Sequence, residues 1–367
     1  MIRLVVGVIV ICIGGVLVGC GGNASPTPHP AAQTATPEPT VRPVAATATP
    51  APSPSPTATP APADPASSPN GAGPAVFVWR TNGTGAQQLA QPNKIAVDAQ
   101  DNLYVMDSSH YRIVKYGSNG RFLTTWGSQG SNDGQFVLRR GAGHPGAIAV
   151  DPQGAVLVLD DTGRLQRFDA NGTFLGKRTY GIGTGDAQFD FPQGMALDRE
   201  GNLYVTDAMN NRVQKFDPGG TFVTTWGRKG SGQGEFDFPD HVALNPAGNV
   251  YITDGFNNRV QKFDGNGTFL GMWGTTGTGE GQFERILGIA IDQRGNVYVS
   301  DNQPGRIEKF DPNGRFLGQW GSTGSGNGQF AFAGGLAVDS QGNIYAVGLS
   351  GTPGGDSDDC IQKFRPR

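Results

Sequence analysis

The side chains best suited to chemistry are few. Histidine changes charge near neutral pH and is the first type to weigh for proton transfer or metal binding. There are four, His29, His110, His144 and His241. His241 follows Asp240 directly, a carboxylate–imidazole pair that could serve as acid and base or hold a metal. Read without a fold, His241 is equally a surface histidine on a loop. Cysteine is limited to Cys12, Cys20 and Cys360. That count supports neither a multi-cysteine zinc site nor a disulfide framework within the chain.

Other charged residues recur too regularly for a single site. Asp107/Arg112, Asp160/Arg164, Asp207/Arg212, Asp254/Arg259 and Asp301/Arg306 repeat one arrangement five times. A catalytic site needs asymmetry, so these pairs read as clamps on turns. Asp98, Asp151, Asp198, Asn245, Asp292 and Asp339 each precede a tight turn, Gly-containing in all but the first, and are expected to accept backbone hydrogen bonds across it. The loops Gly230–Phe236, Gly277–Phe283 and Gly324–Phe330 are glycine-rich, but none carries Gly-Lys-Ser/Thr and each is followed by a strand pattern. A phosphate loop would open a helix. These segments read as connectors, and no nucleotide or other cofactor is expected.

Positioning falls to a repeat. The marks from Asp98 to Asp339 are spaced 53, then 47 residues four times over, the longer step falling in the loop Arg139–His144. Trp226, Trp273 and Trp320 keep the same interval. In the third unit, strands are predicted at Gly194–Asp198, Asn202–Asp207, Arg212–Phe216 and Thr221–Gly227. Each is short and rich in β-formers, and Gly, Asn, Asp and Pro separate them. Four antiparallel strands, a to d, in some forty residues make one propeller blade. The sixth unit supplies strands a to c and stops, without a d. Trp79 lies 19 residues before Asp98, the offset that separates Trp226 from Asn245. Residues 75–80 are therefore an orphan strand d, expected to pair with strand c of the last unit. The fold class is all-β: a six-bladed β-propeller closed by an N-terminal strand completing the last blade.

The preceding residues are a different material. Residues 1–20 combine Arg3 with an apolar run from Leu4 to Val18, as a secretory signal does. Leu17-Val18-Gly19-Cys20 resembles a bacterial lipobox. That resemblance implies cleavage before Cys20 and acyl chains on it, hence a membrane partner and a place in the cell envelope on the extracytoplasmic side. Residues 21–74 form a Pro/Thr/Ala-rich linker, with 14 of the chain's 26 prolines between residues 21 and 70. Such a segment cannot bury a core and is expected to be disordered and extended. At about 3.1 Å per residue it would span on the order of 100 Å or more. The propeller takes residues 75–367.

The pattern Gly194-Met-Ala-Leu-Asp-Arg-Glu-Gly-Asn-Leu-Tyr-Val-Thr-Asp207, followed by Asn211-Arg-Val-Gln-Lys-Phe-Asp217, resembles the NHL repeat and recurs through the whole body. The second unit departs at Val156–Asp160. The sixth has Gly348 and Cys360 at the Asp and Arg positions, with an insert from Leu349 to Asp359. The resemblance implies a six-bladed propeller. It also brings three functional comparisons. Amidating lyases of this type hold zinc with histidines near the axis, and no three-histidine set is evident here. RNA-binding members have a basic face, whereas this body keeps the whole chain's net charge of −3, so no nucleic acid is expected. Ubiquitin-ligase members carry a RING domain, for which there is no Cys/His array. Extracellular sensor domains of bacterial membrane kinases are similar, although no kinase domain is present.

Function on a ring should lie where the repeats differ, on the face carrying the d–a and b–c loops. The candidate ligand-binding residues there are Asn93, Lys94, His110, Tyr111, His144, Asp240, His241, Phe256 and Arg285. Lys94 and His241 occupy matching positions, which are Gly194, Gly288 and Gly335 in other units. The expectation is a membrane-anchored, monomeric binding or scaffold module for a protein, peptide or glycan, with no assigned catalytic or metal residue. The alternative is an exported metal-dependent lyase or hydrolase with its site at the channel mouth.

Overall fold

A computed structural model describes residues 75–83, 87–138, 146–349 and 359–367. The signal segment, Cys20, the linker, His144 and most of the Leu349–Asp359 insert lie outside the described residues.

Strand lengths follow from the 47-residue unit. In blade 3, strand a is Pro192–Leu197, b is Leu203–Asp207, c is Arg212–Phe216 and d is Phe222–Trp226. Strand a begins two residues before the predicted Gly194, because Pro192 still pairs with Asp207 beyond a bulge. Proline lacks an N–H and is tolerated at such a strand end. The strand stops before Asp198, whose backbone N–H turns to Asn202 O while its carboxylate accepts the Asn202 N–H. All five residues of strand b are buried, whereas strand d alternates between half-buried and exposed. Side chains of a strand point alternately to its two faces, so strand d has one solvated face and strand b has none.

The described strands form six four-stranded sheets, each in order a-b-c-d. Strand a of each blade contacts strand a of the next, and that of blade 6 contacts that of blade 1, so the ring is closed. The core lies between blades. One cluster joins Tyr104, Ile113 and Phe136 to Val156, Val158 and Phe168 of the following blade. Each such side chain removed from water contributes about 1.5–3 kcal/mol, available only when neighbours stack.

Closure matches the predicted register. Strand Ala75–Thr81 pairs antiparallel with Cys360–Pro366, the last strand c, with Phe77 opposite Phe364 and Trp79 opposite Lys363. The Phe77 and Phe364 rings meet edge to face at 6.1 Å. Trp79 lies 5.9 Å from Tyr345, and its indole N–H donates to Ser118 O of blade 1.

The recurring Asp–Arg pairs do more than clamp the b–c turns. Arg259 Nε donates to Asp254 Oδ2 at 2.8 Å, while its other nitrogens donate to Ser231 O, Gly232 O and Glu235 O of the preceding connector. A guanidinium has five donors in a rigid fork, which lets one side chain hold both a carboxylate and a loop. The connector is also fixed from inside. At Gly227, with φ +102°, a Cβ would stand 2.6 Å from the Phe236 ring, so only glycine fits.

Candidate ligand-binding mouth

Strand a of every blade descends beside the axis, so its first residues decide what the channel mouth contains. One ring of equivalent positions holds Lys94, Ala147, Gly194, His241, Gly288 and Gly335. The glycines allow close approach: a Cβ on Gly194 would stand 2.8 Å from the His241 backbone, and one on Gly335 2.7 Å from Asn93 O. Blades 1 and 4 face each other across the ring. Their long side chains therefore cross an axis that small residues leave open.

Lys94 Nζ donates to Gln193 Oε1 at 2.8 Å and lies 3.2 Å from His241 Nε2 and 3.5 Å from Asp240 Oδ1. Nε2 faces a group that only donates, so it is the unprotonated ring nitrogen and Nδ1 carries the hydrogen. Nδ1 lies 2.8 Å from Asp240 Oδ1, off the line of its N–H, and has no well-aligned partner. Thr253 Oγ1 fixes the backbone here, accepting the His241 N–H and donating to Leu287 O of the next blade. Thr206 and Ser300 make the same bridge in blades 3 and 5.

Burial lowers the Lys94 pKa, partly opposed by Asp240. Burial alone would raise that of Asp240, but Lys94 and His241 outweigh it and the carboxyl titrates low. Burial and the Lys94 charge lower that of His241. At neutral pH this plug thus has its Asp240 carboxyl ionised and its His241 imidazole neutral.

Above it lies a cleft of about 230 Å³ with a mainly apolar wall. Phe191 and Phe238 line one side with rings 5.8 Å apart, and Phe256 stacks on Phe238 at 5.0 Å with 23° between planes. Phe256 is 71% exposed and Met209 56%. Across the cleft the Arg285 guanidinium lies over the Phe332 ring at 5.6 Å. Phe191 and Phe238 adopt φ of +64° and +61°, uncommon for bulky residues. Such strain persists where the surroundings fix it: Phe238 N donates to Asn211 Oδ1, and its carbonyl accepts from Gly255 N.

The mouth brings together Asn93, Lys94, Asp240, His241, Phe256 and Arg285 of the predicted residues. His110 and Tyr111 do not line it. His110 stands where Asn210 and Asn257 stand in blades 3 and 4. Like them it holds the strand-b aspartate, with Nδ1 2.9 Å from Asp107 Oδ2. Tyr111 turns into the core beside Phe136 and Leu138. Gln193, Phe191, Phe238 and Phe332 escaped the sequence reading. Phe191 and Phe238 repeat at the 47-residue interval and so resembled scaffold.

The opposite end of the channel is wider, about 680 Å³. Of the carboxylates there, Asp98, Asp151 and Asp292 are engaged in turns, each accepting two backbone N–H groups. Among the described residues no group of three or more His, Cys, Asp or Glu side chains is placed to hold a metal ion.

This architecture is a six-bladed β-propeller, and residues 189–216 and 236–263 match the NHL repeat. The chain is thus a propeller in which one segment of blade 3 and one of blade 4 match that repeat. It is similar to the protein brain tumor of Drosophila melanogaster, 26% identical over 143 residues, which is 38% of this chain and 13% of that protein. It is also similar to peptidyl-glycine alpha-amidating monooxygenase A of Xenopus laevis, 34% identical in an alignment 192 residues long that covers 37% of this chain and 20% of the relative. The chain therefore spans a fifth or less of these relatives. Among solved structures, a gluconolactonase of Xanthomonas campestris superposes with a TM-score of 0.53 at 16% identity. The match covers 76% of this chain and 87% of the enzyme, a likeness of fold alone.

Proposed function

We propose that this propeller is a binding module for a protein, peptide or glycan, held outside the cytoplasm by a lipid on Cys20 and engaging its ligand through the Lys94–His241 mouth. One observation carries the reading. In a ring of near-identical blades, the cleft at the mouth joins an exposed aromatic wall to a buried polar floor. Aromatic side chains give large contact area at low entropic cost, and a few fixed polar groups set orientation. Relatives with NHL repeats support a binding role at the level of the module.

The test is a screen of glycan and peptide arrays with the purified chain and with Phe256→Ala. Phe256 is exposed, so its removal should leave folding intact and weaken the recognised ligand. Equal binding by both proteins to every hit would overturn the mouth as the site. Palmitate labelling in a bacterial host, lost in Cys20→Ala, tests the anchor.

A second reading, an exported lyase or hydrolase, is favoured by the buried Lys94–Asp240–His241 set, since perturbed titratable groups in a cleft suit proton transfer. In its metal-dependent form it predicts stoichiometric zinc or calcium in the purified chain, lost in His241→Ala.

A further inference from the structure

Five of the six seams between blades share one filling. A strand-b tyrosine (Tyr104, Tyr204, Tyr251, Tyr298 or Tyr345) lies beneath a strand-d tryptophan, ring centroids 5.9–6.3 Å apart. A strand-c lysine sits over each tyrosine ring at 4.9–5.6 Å. At three of these seams both the hydroxyl and the lysine reach across to the next blade. Tyr204 Oη and Lys215 Nζ both donate to Gly265 O, and Tyr251 Oη and Lys262 Nζ both donate to Pro312 O.

The seam between blades 2 and 3 lacks this filling. In register, Leu157 replaces the tyrosine, Arg167 the lysine and Arg178 the tryptophan. Arg167 folds back onto Asp151 at 2.7 Å. Arg178 donates to Gly219 O, and Tyr180 Oη donates to Gly220 O. Tyr180 takes over the tryptophan's contact with the next blade, lying 4.7 Å from Phe216. Nothing takes over the phenol ring. A cleft of about 380 Å³ remains, walled by Leu157, Leu165, Leu197 and Leu203 and bounded by Asp151 and Pro218. Those last two stand where the other seams offer a tyrosine hydroxyl its acceptors.

We infer that this cleft is a second ligand site that takes a para-substituted phenol, its ring in the leucine-walled space and its hydroxyl toward Asp151 and the Pro218 turn. The template is the protein's own, since five seams present that ring and that hydroxyl as built-in side chains. An apolar cavity left by a missing ring is known to accept a ring of matching size. The site is independent of the mouth, on a different seam and with a different lining.

The experiment titrates the full chain with p-cresol, with toluene and with N-acetyltyrosinamide, followed by calorimetry and by the shift in melting temperature. Saturable 1:1 binding of p-cresol is expected, with toluene weaker for want of the hydroxyl. Leu157→Tyr should restore the built-in ring, raise the melting temperature and weaken p-cresol by about tenfold or more. Competition by N-acetyltyrosinamide assigns the cleft to a tyrosine of a peptide. Binding of p-cresol alone assigns it to a free phenol. Absence of saturable binding, or full binding retained in a folded Leu157→Tyr, overturns the inference. Leu157→Phe, which fills the space without a hydroxyl, serves if the tyrosine variant fails to fold.

Discussion

Lys94 and His241 belong to opposite blades, 147 residues apart in sequence, and meet 3.2 Å apart on the axis. The contact exists because three of the six positions in that ring are glycine and a fourth is alanine. Two chance features, an added lysine and an added histidine, would otherwise have remained on separate walls.

Removing Lys94 should be costly. Asp240 would keep a buried carboxylate without its ammonium, and breaking a buried pair costs about 3–5 kcal/mol. Lys94→Met is expected to lose that amount in urea denaturation, and Lys94→Met with Asp240→Asn to recover at least half of it.

The imidazole makes the plug sensitive to acid. The pKa of His241 is lowered in the fold from its usual 6.5. The folded state therefore binds fewer protons than the unfolded chain below that value. The stability this group contributes is fully present above pH 6.5 and is lost as pH falls through its lowered folded pKa. His241→Gln should flatten this region of the profile, measured as the difference in unfolding free energy between the two proteins from neutral to mildly acidic pH.

Blade 5 responds in the opposite sense. Its strand c carries Glu308 where Gln166, Gln214, Gln261 and Gln362 stand elsewhere. Gln261 accepts from Gly234 N and donates to Glu235 O and Asp254 Oδ2. Glu308 keeps only the accepting half of this role, from Gly281 N, and its Oε1 meets Arg306 Nη2 at 2.8 Å. Burial pushes its carboxyl up to about 7, despite Arg306. A raised carboxyl stabilises below its unfolded pKa, and that contribution is lost as pH rises toward 7. Glu308→Gln is expected to gain between about 1 and 3 kcal/mol at pH 8 and little at pH 4. Equal effects at both would refute the assignment.

The closing strand carries its own test. Trp79→Ala removes a half-buried indole from the seam between blades 6 and 1 and should cost about 2–4 kcal/mol. Leu123→Ala, at an exposed position of a neighbouring strand d, should change melting little.

Much of the ring was legible because the signal is periodic. The 19-residue offset of Trp79 placed the closing strand, and the 47-residue step put Lys94 and His241 in equivalent places. What escaped are contacts between blades. Arg259 reaches carbonyls 24 to 28 residues back, and Thr253 bridges to Leu287, 34 residues on. No local pattern records such pairings, since they follow from how neighbouring sheets stack. His110 misled for a related reason: a histidine in an asparagine's place suggests chemistry until its aspartate is seen. The second unit was marked as irregular, but the opening created by Leu157, Arg167 and Arg178 together emerges only when the seam is seen in space.

The closing strand also bears on mechanics. Ala75, its first residue, pairs with Pro366 at one end of the ladder, and Thr81 with Ile361 at the other. A pull on Ala75 directed across the strands would meet this ladder at one end and break its rungs in succession, whereas a pull along them would load every rung together. The latch that makes the circle whole is thus also the place where a load on the preceding chain would enter the ring, so blade 6 would feel it ahead of the other five.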